Sequence, residues 1–422
     1  MNQITAAPRT GFDIIVVGAG IIGVCAALDL QRRGQKVALV DAAEPGSGAS
    51  FGNAGIMVNT NLRPVFAGMT PLSFFQMLRN PASPLNVNWS RFPAMVPWFL
   101  RMLRHAGPAE VARITRALGD LCQPGAGLYA EIWSAAEAHE LVDGKGNVAL
   151  HRSEASIRTQ WKALSQIREM GVEMRQVGPD ELRALVPSVS HGYTHGLYSP
   201  SFQHALDPQG LIARLVALFR ARGGELFREE VRRIETQGKR VTGVVTADGE
   251  IAGESVLVAC GTGSAVFAKA MGEAVPHQAV GGYHVMLNDP GITLDRPVLP
   301  IDFRFAITPM GKSIRLAGIY EFGGQGRPFR KDLVDSMLAH IGKVLPGIRT
   351  AETVQWRGYR SYLPDGLPII DASRRKDGLF YAFGFSSSGM INGASAGRAA
   401  GAVVTGARPD IDLSPFRLGR FA

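Results

Sequence analysis

Cysteine is scarce. The 422 residues contain three, Cys25, Cys122 and Cys260, far apart along the chain. Three scattered thiols build neither a disulfide framework nor a metal site of the usual close ligand spacing. They read as small core residues in a reducing compartment. No hydrophobic run is long enough to span a bilayer. The stretch through Gly11 is too short and too polar for a secretory leader, so the expected location is the cytoplasm. Charged residues are also sparse, at 19%, and the excess of 45 Lys and Arg over 36 Asp and Glu is spread along the chain. No basic groove interleaved with aromatics stands out, which argues against nucleic acid as a partner. The net positive charge favours anionic surroundings: a membrane surface, an acidic cofactor or an acidic substrate.

Glycine, by contrast, is plentiful, with 50 residues, and its placement is informative. The run Asp13-Ile-Ile-Val-Val-Gly-Ala-Gly-Ile-Ile-Gly puts Gly18, Gly20 and Gly23 between an apolar strand and an apolar helix. A second strand, Lys36-Val-Ala-Leu-Val, ends at Asp41, 18 residues after Gly23. This order is what a dinucleotide requires. Gly18 permits the tight turn, Gly20 lets the backbone approach a pyrophosphate, and Gly23 lets helix and sheet pack closely. Asp41 would accept hydrogen bonds from the adenosine ribose. The glycine pattern alone recurs in ordinary turns; strand, turn, helix, strand and terminal acid together are far more specific.

The loop Glu44-Pro-Gly-Ser-Gly-Ala-Ser-Phe-Gly-Asn-Ala-Gly holds too much glycine for a regular element. It suits a backbone cradle for the middle of the cofactor, with Ser47, Ser50 and Asn53 adding hydrogen bonds. Residues 63–110 carry two Phe- and Trp-rich stretches broken by prolines. The second can form an amphipathic helix rimmed by Arg101 and Arg104, suited to packing on a second domain, on another subunit or in a membrane interface. Helical periodicity continues over Val111–Leu141, Glu154–Met170 and Leu211–Arg222. The strand ending at Val256–Ala259 meets Cys260-Gly-Thr-Gly and points back to the dinucleotide crevice. The alternating pattern from Gly281 to Glu321 predicts a separate antiparallel sheet forming a lid or floor. A last strand, Leu379–Phe383, feeds Gly384-Phe-Ser-Ser-Ser-Gly-Met and then an Ala/Gly-rich helix over about Ile391–Val404.

Six segments in this order resemble the flavin-dependent D-amino-acid dehydrogenase/glycine oxidase superfamily. They are Gly18-Ala-Gly-Ile-Ile-Gly with Asp41, Ser50-Phe-Gly-Asn-Ala-Gly, Leu257-Val-Ala-Cys-Gly, Ser313-Ile-Arg-Leu-Ala-Gly-Ile-Tyr-Glu, Trp356-Arg-Gly-Tyr-Arg-Ser-Tyr-Leu-Pro-Asp-Gly and Gly384-Phe-Ser-Ser-Ser-Gly. The resemblance implies an α/β fold, a Rossmann-like FAD-binding domain with an antiparallel or mixed-sheet substrate domain. It implies FAD-binding segments over 1–62, 201–275 and 356–422, with a helical insertion and substrate domain over 63–200 and 276–355. Cofactor contacts are then expected from Gly18, Gly20, Ile21, Ile22, Gly23, Asp41, Ala42, Ser50, Asn53, Ala54, Gly55, Val231, Cys260, Gly261, Gly384, Ser386, Ser387, Ser388, Gly389 and Met390.

By the same resemblance Arg360 pairs with a substrate carboxylate, for which a guanidinium fork is the natural match; an interdomain salt bridge is the alternative role. Tyr283, Tyr320 and Tyr359 are candidate hydroxyl donors, Arg304 a second cation, and His277 and His284 candidate proton carriers or plain structural residues. Tyr359 and Ser361 depart from the family pattern around Arg360, which weakens transfer of any one substrate. The expected activity is oxidation of a D-amino acid or cyclic imino acid with FAD and a quinone-like acceptor. An oxygen-using glycine/sarcosine-type amine oxidase is the alternative. No metal is expected, and a peripheral contact with the cytoplasmic face of a membrane is.

Overall fold

The computed structural model describes residues 9–57, 62–79, 85–303 and 305–421. The strands Arg9–Val17 and Val37–Val40 carry the β-branched run foreseen for them. Val37 to Val40 are all buried, because both faces of a parallel sheet are covered. In the same sheet, Glu225–Phe227 pairs with Val37–Val40, which pairs with Arg9–Val17, then Glu250–Val258. All of these run parallel. The far edge of Glu250–Val258 is shared. Its start takes the antiparallel pair Arg240–Val245 and Arg233–Gln237, while its end takes Leu379–Phe383 in parallel.

Two helices meet over this sheet. Ile21–Arg32 is buried along almost its whole length and crosses Gly389–Thr405. The contact is made by glycines four residues apart. A Cβ on Gly397 would lie 2.6 Å from the Cys25 carbonyl carbon, one on Gly393 2.6 Å from Ile21, and one on Gly401 2.2 Å from the Asp29 carboxylate. The helix seen as Ala/Gly-rich in the sequence is therefore a packing surface with no room for side chains.

The second sheet is mainly antiparallel. Thr353–Tyr362 pairs with Gln278–Leu287, which pairs with Ser313–Phe322, followed by Ala306–Met310, Val298–Pro300, Asn147–His151, His195–Ser199 and Arg175–Val177. Its pleat separates two cores. Val280, Phe322 and Tyr362 join the cluster that continues into the first sheet's helices. Tyr283, Val285 and Ile319 join a separate cluster under the helix Lys331–Val344. The whole of Thr353–Tyr362 belongs to this second sheet, so the C-terminal return to the first sheet begins after Tyr362 rather than at residue 356.

Phe92–Arg104 forms the expected amphipathic helix, preceded by the helix Pro71–Arg79. Met95, Trp98, Phe99 and Met102 are buried. Trp98 and Phe99 pack on Phe322 with ring centroids 5.8 and 5.3 Å apart, and the Trp98 indole donates to the Pro276 carbonyl at 3.1 Å. The apolar stripe thus packs on the second sheet. Leu72 and Leu100 stay 67% and 56% exposed on the outer side.

Candidate cofactor and substrate site

The C-terminal ends of Arg9–Val17, Glu250–Val258 and Leu379–Phe383 open into a cleft of about 500 Å³. Gly18, with φ +111°, turns the chain there, and its N–H donates to the Val40 carbonyl at 2.8 Å. A Cβ on Gly18 would come within 2.7 Å of Ala259 and Cys260, and one on Gly23 within 1.8 Å of the Gly18 carbonyl oxygen. Any side chain at either position would break the turn. Gly20, Ile21 and Ile22 bring the N-terminus of the first helix to the wall. Gly23 lies behind it as a packing glycine.

Asp41 lines the cleft. Its carboxylate accepts from the Ala19 N–H at 2.7 Å and the Ala43 N–H at 2.9 Å, bracing the glycine turn. Each oxygen keeps a further acceptor site. Ser50 accepts from the Ile21 N–H at 3.2 Å, and so ties the second glycine loop to the same helix start. Asn53 spends its side-chain oxygen on the Gly55 N–H at 2.8 Å. Gly55, with φ +72°, sits against Ala205 and His204 rather than on the cleft.

The opposite wall is the turn after Leu379–Phe383. Gly384 has φ +87° and Ser386 φ +53°, a left-handed conformation uncommon for a residue with a side chain. It is held by the Ser386 N–H donating to the Ser361 carbonyl at 2.9 Å. The Ser386 hydroxyl is buried without a partner. Ser387, Gly389 and Met390 also line the wall and present a second helix N-terminus, whereas Ser388 turns back to the Phe385 carbonyl at 2.8 Å. Cys260 and Gly261 complete the lining. Burial pushes the Cys260 thiol up to about 11, so it stays protonated and unreactive. The cleft wall includes neither Ala42, Ala54 nor Val231; Val231 is buried in the core on the far side of the first sheet.

The second sheet closes the cleft with the run Trp356 to Ser361, which includes Gly358, Tyr359 and Arg360. Gly358 lies directly across from Gly282. A Cβ on Gly282 would fall 2.7 Å from the Arg360 guanidinium carbon, and one on Gly358 2.0 Å from the Trp356 indole. These two side chains therefore lie flat on a floor of paired glycines. The Trp356 ring stacks on His284, centroids 5.0 Å apart, and burial lowers the His284 pKa to about 3. Arg360 sits 5.0 Å over the Tyr320 ring, and one of its terminal nitrogens is buried without a partner. Tyr362, buried beside Tyr320 and Ser387, shares this face; burial raises its phenol pKa.

The pleat separates the sequence candidates. Arg360 and Tyr320 share a face, whereas Tyr283 and Tyr359 belong to the other. The Tyr283 hydroxyl donates to the fully buried Glu321 carboxylate at 2.6 Å, and the Tyr359 hydroxyl donates to the Gly324 carbonyl at 3.3 Å. Residues one step apart on a strand point to opposite sides, so neither hydroxyl accompanies Arg360. Tyr362 lies on the same face as Arg360 but is buried outside the cleft lining, whereas Tyr359 lines the cleft with its hydroxyl turned to Gly324. Arg304 lies outside the described residues. His277 is half-buried away from the glycine floor, next to Phe383, and its desolvation lowers its pKa to about 4.

One residue absent from the sequence candidates is Arg315. It is 3% exposed and donates to the carbonyls of Phe51 and Asn53 at 2.8 and 2.5 Å. Its burial pulls the guanidinium pKa down to about 10, leaving it charged at neutral pH. Arg315 thus fastens the loop under the cleft to the second sheet. A charged residue inside the apolar strand Ser313-Ile-Arg-Leu-Ala was the signal that could have singled it out.

Two helix N-termini, an acid at the first wall, an unpartnered serine hydroxyl and backbone held open by glycine suit a dinucleotide pyrophosphate and ribose. Among the described residues, no group of His, Cys, Asp and Glu could hold a metal, and no helix is long and apolar enough to cross a membrane.

The chain is 29% identical over 420 residues to a D-amino-acid oxidase of Bradyrhizobium diazoefficiens, covering 97% of this chain and 99% of the relative. It is 25% identical over 419 residues to a D-amino acid dehydrogenase of Rhizobium rhizogenes, with the same coverage. The fold matches the crystal structure of glycine oxidase from Geobacillus kaustophilus with a TM-score of 0.74 at 20% identity, over 97% of this chain and 98% of that one. Residues 13–402 match the family described as DAO, FAD dependent oxidoreductase, and with its nucleotide cleft built from that same span the chain belongs to this family, an oxidoreductase whose cofactor is FAD.

Proposed function

We propose that this protein oxidises the carbon–nitrogen bond of a small D-amino acid or cyclic imino acid and passes the electrons to a quinone-like acceptor. The observation that carries the reading is Arg360. A buried guanidinium nitrogen without a partner is costly unless an anion completes it. Arg360 lies at the wall of the cofactor cleft, where a bidentate carboxylate would satisfy it. When bound, FAD supplies the two-electron acceptor for the hydride leaving the substrate α-carbon.

The chain's own part is to hold the substrate. Arg360 fixes the carboxylate. The glycine floor keeps the guanidinium low, and Trp356 walls one side of the space above it. Tyr320 and Tyr362 bring phenol groups to the same face. Around Arg360 that face carries no carboxylate on the strands Gln278–Leu287, Ser313–Phe322 and Thr353–Tyr362: Gln278, Val280, Gly282, His284, Tyr320, Phe322, Trp356, Gly358 and Tyr362 are its residues there. A substrate amine arriving neutral needs no side-chain base, because its own lone pair drives the hydride out as the imine forms. Water then hydrolyses the imine to an oxo acid and ammonia, whereas a cyclic imino acid keeps its ring.

An acceptor delivered from a membrane surface is supported by the exposed Leu100, which shares the helix Phe92–Arg104 with the basic Arg101 and Arg104, and by the exposed Leu72 on the preceding helix. The oxygen-using reading draws support from the 29% identical relative named as an oxidase. Anaerobic addition of D- and L-amino acids, proline, hydroxyproline and sarcosine to the holoenzyme, followed by the flavin spectrum, tests the reductive step. Bleaching by a D-amino acid or imino acid is expected; bleaching by none of them would overturn the substrate assignment. Peroxide released in air at the rate of dye-coupled turnover would favour the oxidase over the dehydrogenase.

A further inference from the structure

A second cleft, of about 850 Å³, lies between the helix Phe92–Arg104 and the helix Ser264–Ala270, and meets the cofactor cleft at Thr262, which lines both. Its charge is unbalanced. Arg101 and Arg104, one turn apart on the first helix, face it together with Lys269 on the second, and none of the three has an ion-pair partner among the described residues. The other charged groups lining it are already engaged. Arg420 is bound to Asp365 at 2.7 Å, and His105 contacts Glu110 at 2.9 Å. Glu273, the one carboxylate on the wall, accepts from the Ser373 hydroxyl at 2.8 Å and the Arg374 N–H at 2.7 Å. At its floor the His277 Nε2 is buried without a partner.

We propose that this cleft binds a phosphate group, carried either on a soluble phosphate ester or on the headgroup of an anionic lipid. Three unpaired cations on two elements line one cleft. A tetrahedral phosphate presents oxygens to all of them at once, whereas a carboxylate presents two in one plane. Arginine forks match that geometry, and the lysine adds a point charge. Apolar surface gives the lipid source its physical basis: Val266, which lines the cleft, is 69% exposed, and Leu100, adjacent to Arg101 in the chain, is 56% exposed. None of these residues lines the Arg360 wall, so the inference stands apart from the substrate reading; its lipid arm shares Leu100, Arg101 and Arg104 with the acceptor reading, and dye-coupled turnover bypasses that acceptor.

The test uses the FAD-loaded full chain and a variant carrying Arg101→Gln, Arg104→Gln and Lys269→Gln. Calorimetric titration with inorganic phosphate and glycerol phosphate reads the soluble source. Co-sedimentation with phosphatidylcholine vesicles, with and without phosphatidylglycerol, reads the lipid source. The wild type is expected to bind at least one probe, and the variant to bind it on the order of tenfold more weakly or worse, with dye-coupled turnover and the flavin spectrum unchanged. Binding only to phosphatidylglycerol vesicles assigns the lipid headgroup; binding only in solution assigns a free ester. A control carrying Arg158→Gln, Arg222→Gln and Lys239→Gln removes equal charge from exposed positions outside the cleft. The proposal is overturned if the wild type binds none of the probes, or if the cleft variant binds as tightly as the wild type. It is equally overturned if the control loses as much affinity as the cleft variant. The single change Lys269→Gln, at an exposed position, gives the same readout should the triple variant fail to fold.

Discussion

Arg360 is held by what its neighbours lack. Its guanidinium rests on Gly282, so Gly282→Ala would drive a methyl to within 2.7 Å of it and lift it from the sheet. The expected result is a raised KM with little loss of bound flavin, measured by steady-state kinetics and the visible spectrum; an unchanged KM would remove the glycine floor from the account. Arg360→Ala should lower kcat/KM for a carboxylate substrate by roughly 10- to 150-fold, the worth of one or two charge-assisted hydrogen bonds. Arg360→Lys should recover part of that, since a lysine keeps the charge but loses the fork. Equal kinetics in all three proteins would leave the guanidinium a purely structural group. Arg315 works on the cofactor side. Removing its two bonds to the Phe51 and Asn53 carbonyls in Arg315→Leu should loosen FAD by roughly 2 kcal/mol or more, read as a rise of at least about thirtyfold in the FAD dissociation constant. Unaltered FAD affinity would show that the loop holds itself.

The paired helices Ile21–Arg32 and Gly389–Thr405 act as one element, because each brings its N-terminus to the cofactor cleft. Their separation is set by Gly393, Gly397 and Gly401. At Gly397 the obstructing atoms are backbone, Cys25 and Ala26, which cannot swing aside as a long side chain would. Gly397→Val should therefore cost about 1–3 kcal/mol or more of stability and weaken FAD binding, since the helix starts would no longer converge. Thermal melting of apo- and holoprotein checks both effects. An exposed glycine such as Gly127, around which a Cβ would meet nothing within 4 Å, supplies the control. The element scale also explains where the candidate tyrosines point. In Gln278–Leu287 and Thr353–Tyr362, a shift of one residue exchanges faces, so Tyr359 and Arg360 line one cleft while their side chains leave opposite faces of the strand.

Across the whole molecule, burial lowers the pKa of four histidines: His204 and His277 to about 4, His284 to about 3, and His151 below its ordinary value. Their pKa values in the unfolded chain lie near 6.5. Below that pH the unfolded chain takes up protons that the folded protein refuses. Stability is therefore complete above about pH 6.5 and is lost as the pH falls toward 4, by at most about 1.4 kcal/mol per pH unit for each histidine. Melting temperatures measured from pH 7.5 to 4.5 should fall in that window; a flat profile would mean that the histidines reach water.

Local chemistry made the cofactor half of the site legible in the sequence. Gly18, Gly20, Gly23 and Asp41 answer constraints imposed within a single strand–turn–helix–strand unit, and Gly384 to Met390 repeat the logic at a second turn. The substrate half is made by contacts between distant segments. Which tyrosine joins Arg360, that Gly282 meets Gly358, and that Arg315 reaches back to Phe51 all follow from strand register and pleat. Register depends on which strands pair and where the β-bulge near Tyr283 and His284 falls, and a single strand's pattern does not contain that information. The sequence by itself determined the nucleotide-binding unit, because its requirements are backbone conformations that only glycine meets at those positions. The face that carries Arg360 arises only in the assembled sheet, because a strand's side chains gain a shared face only when its partners are in place.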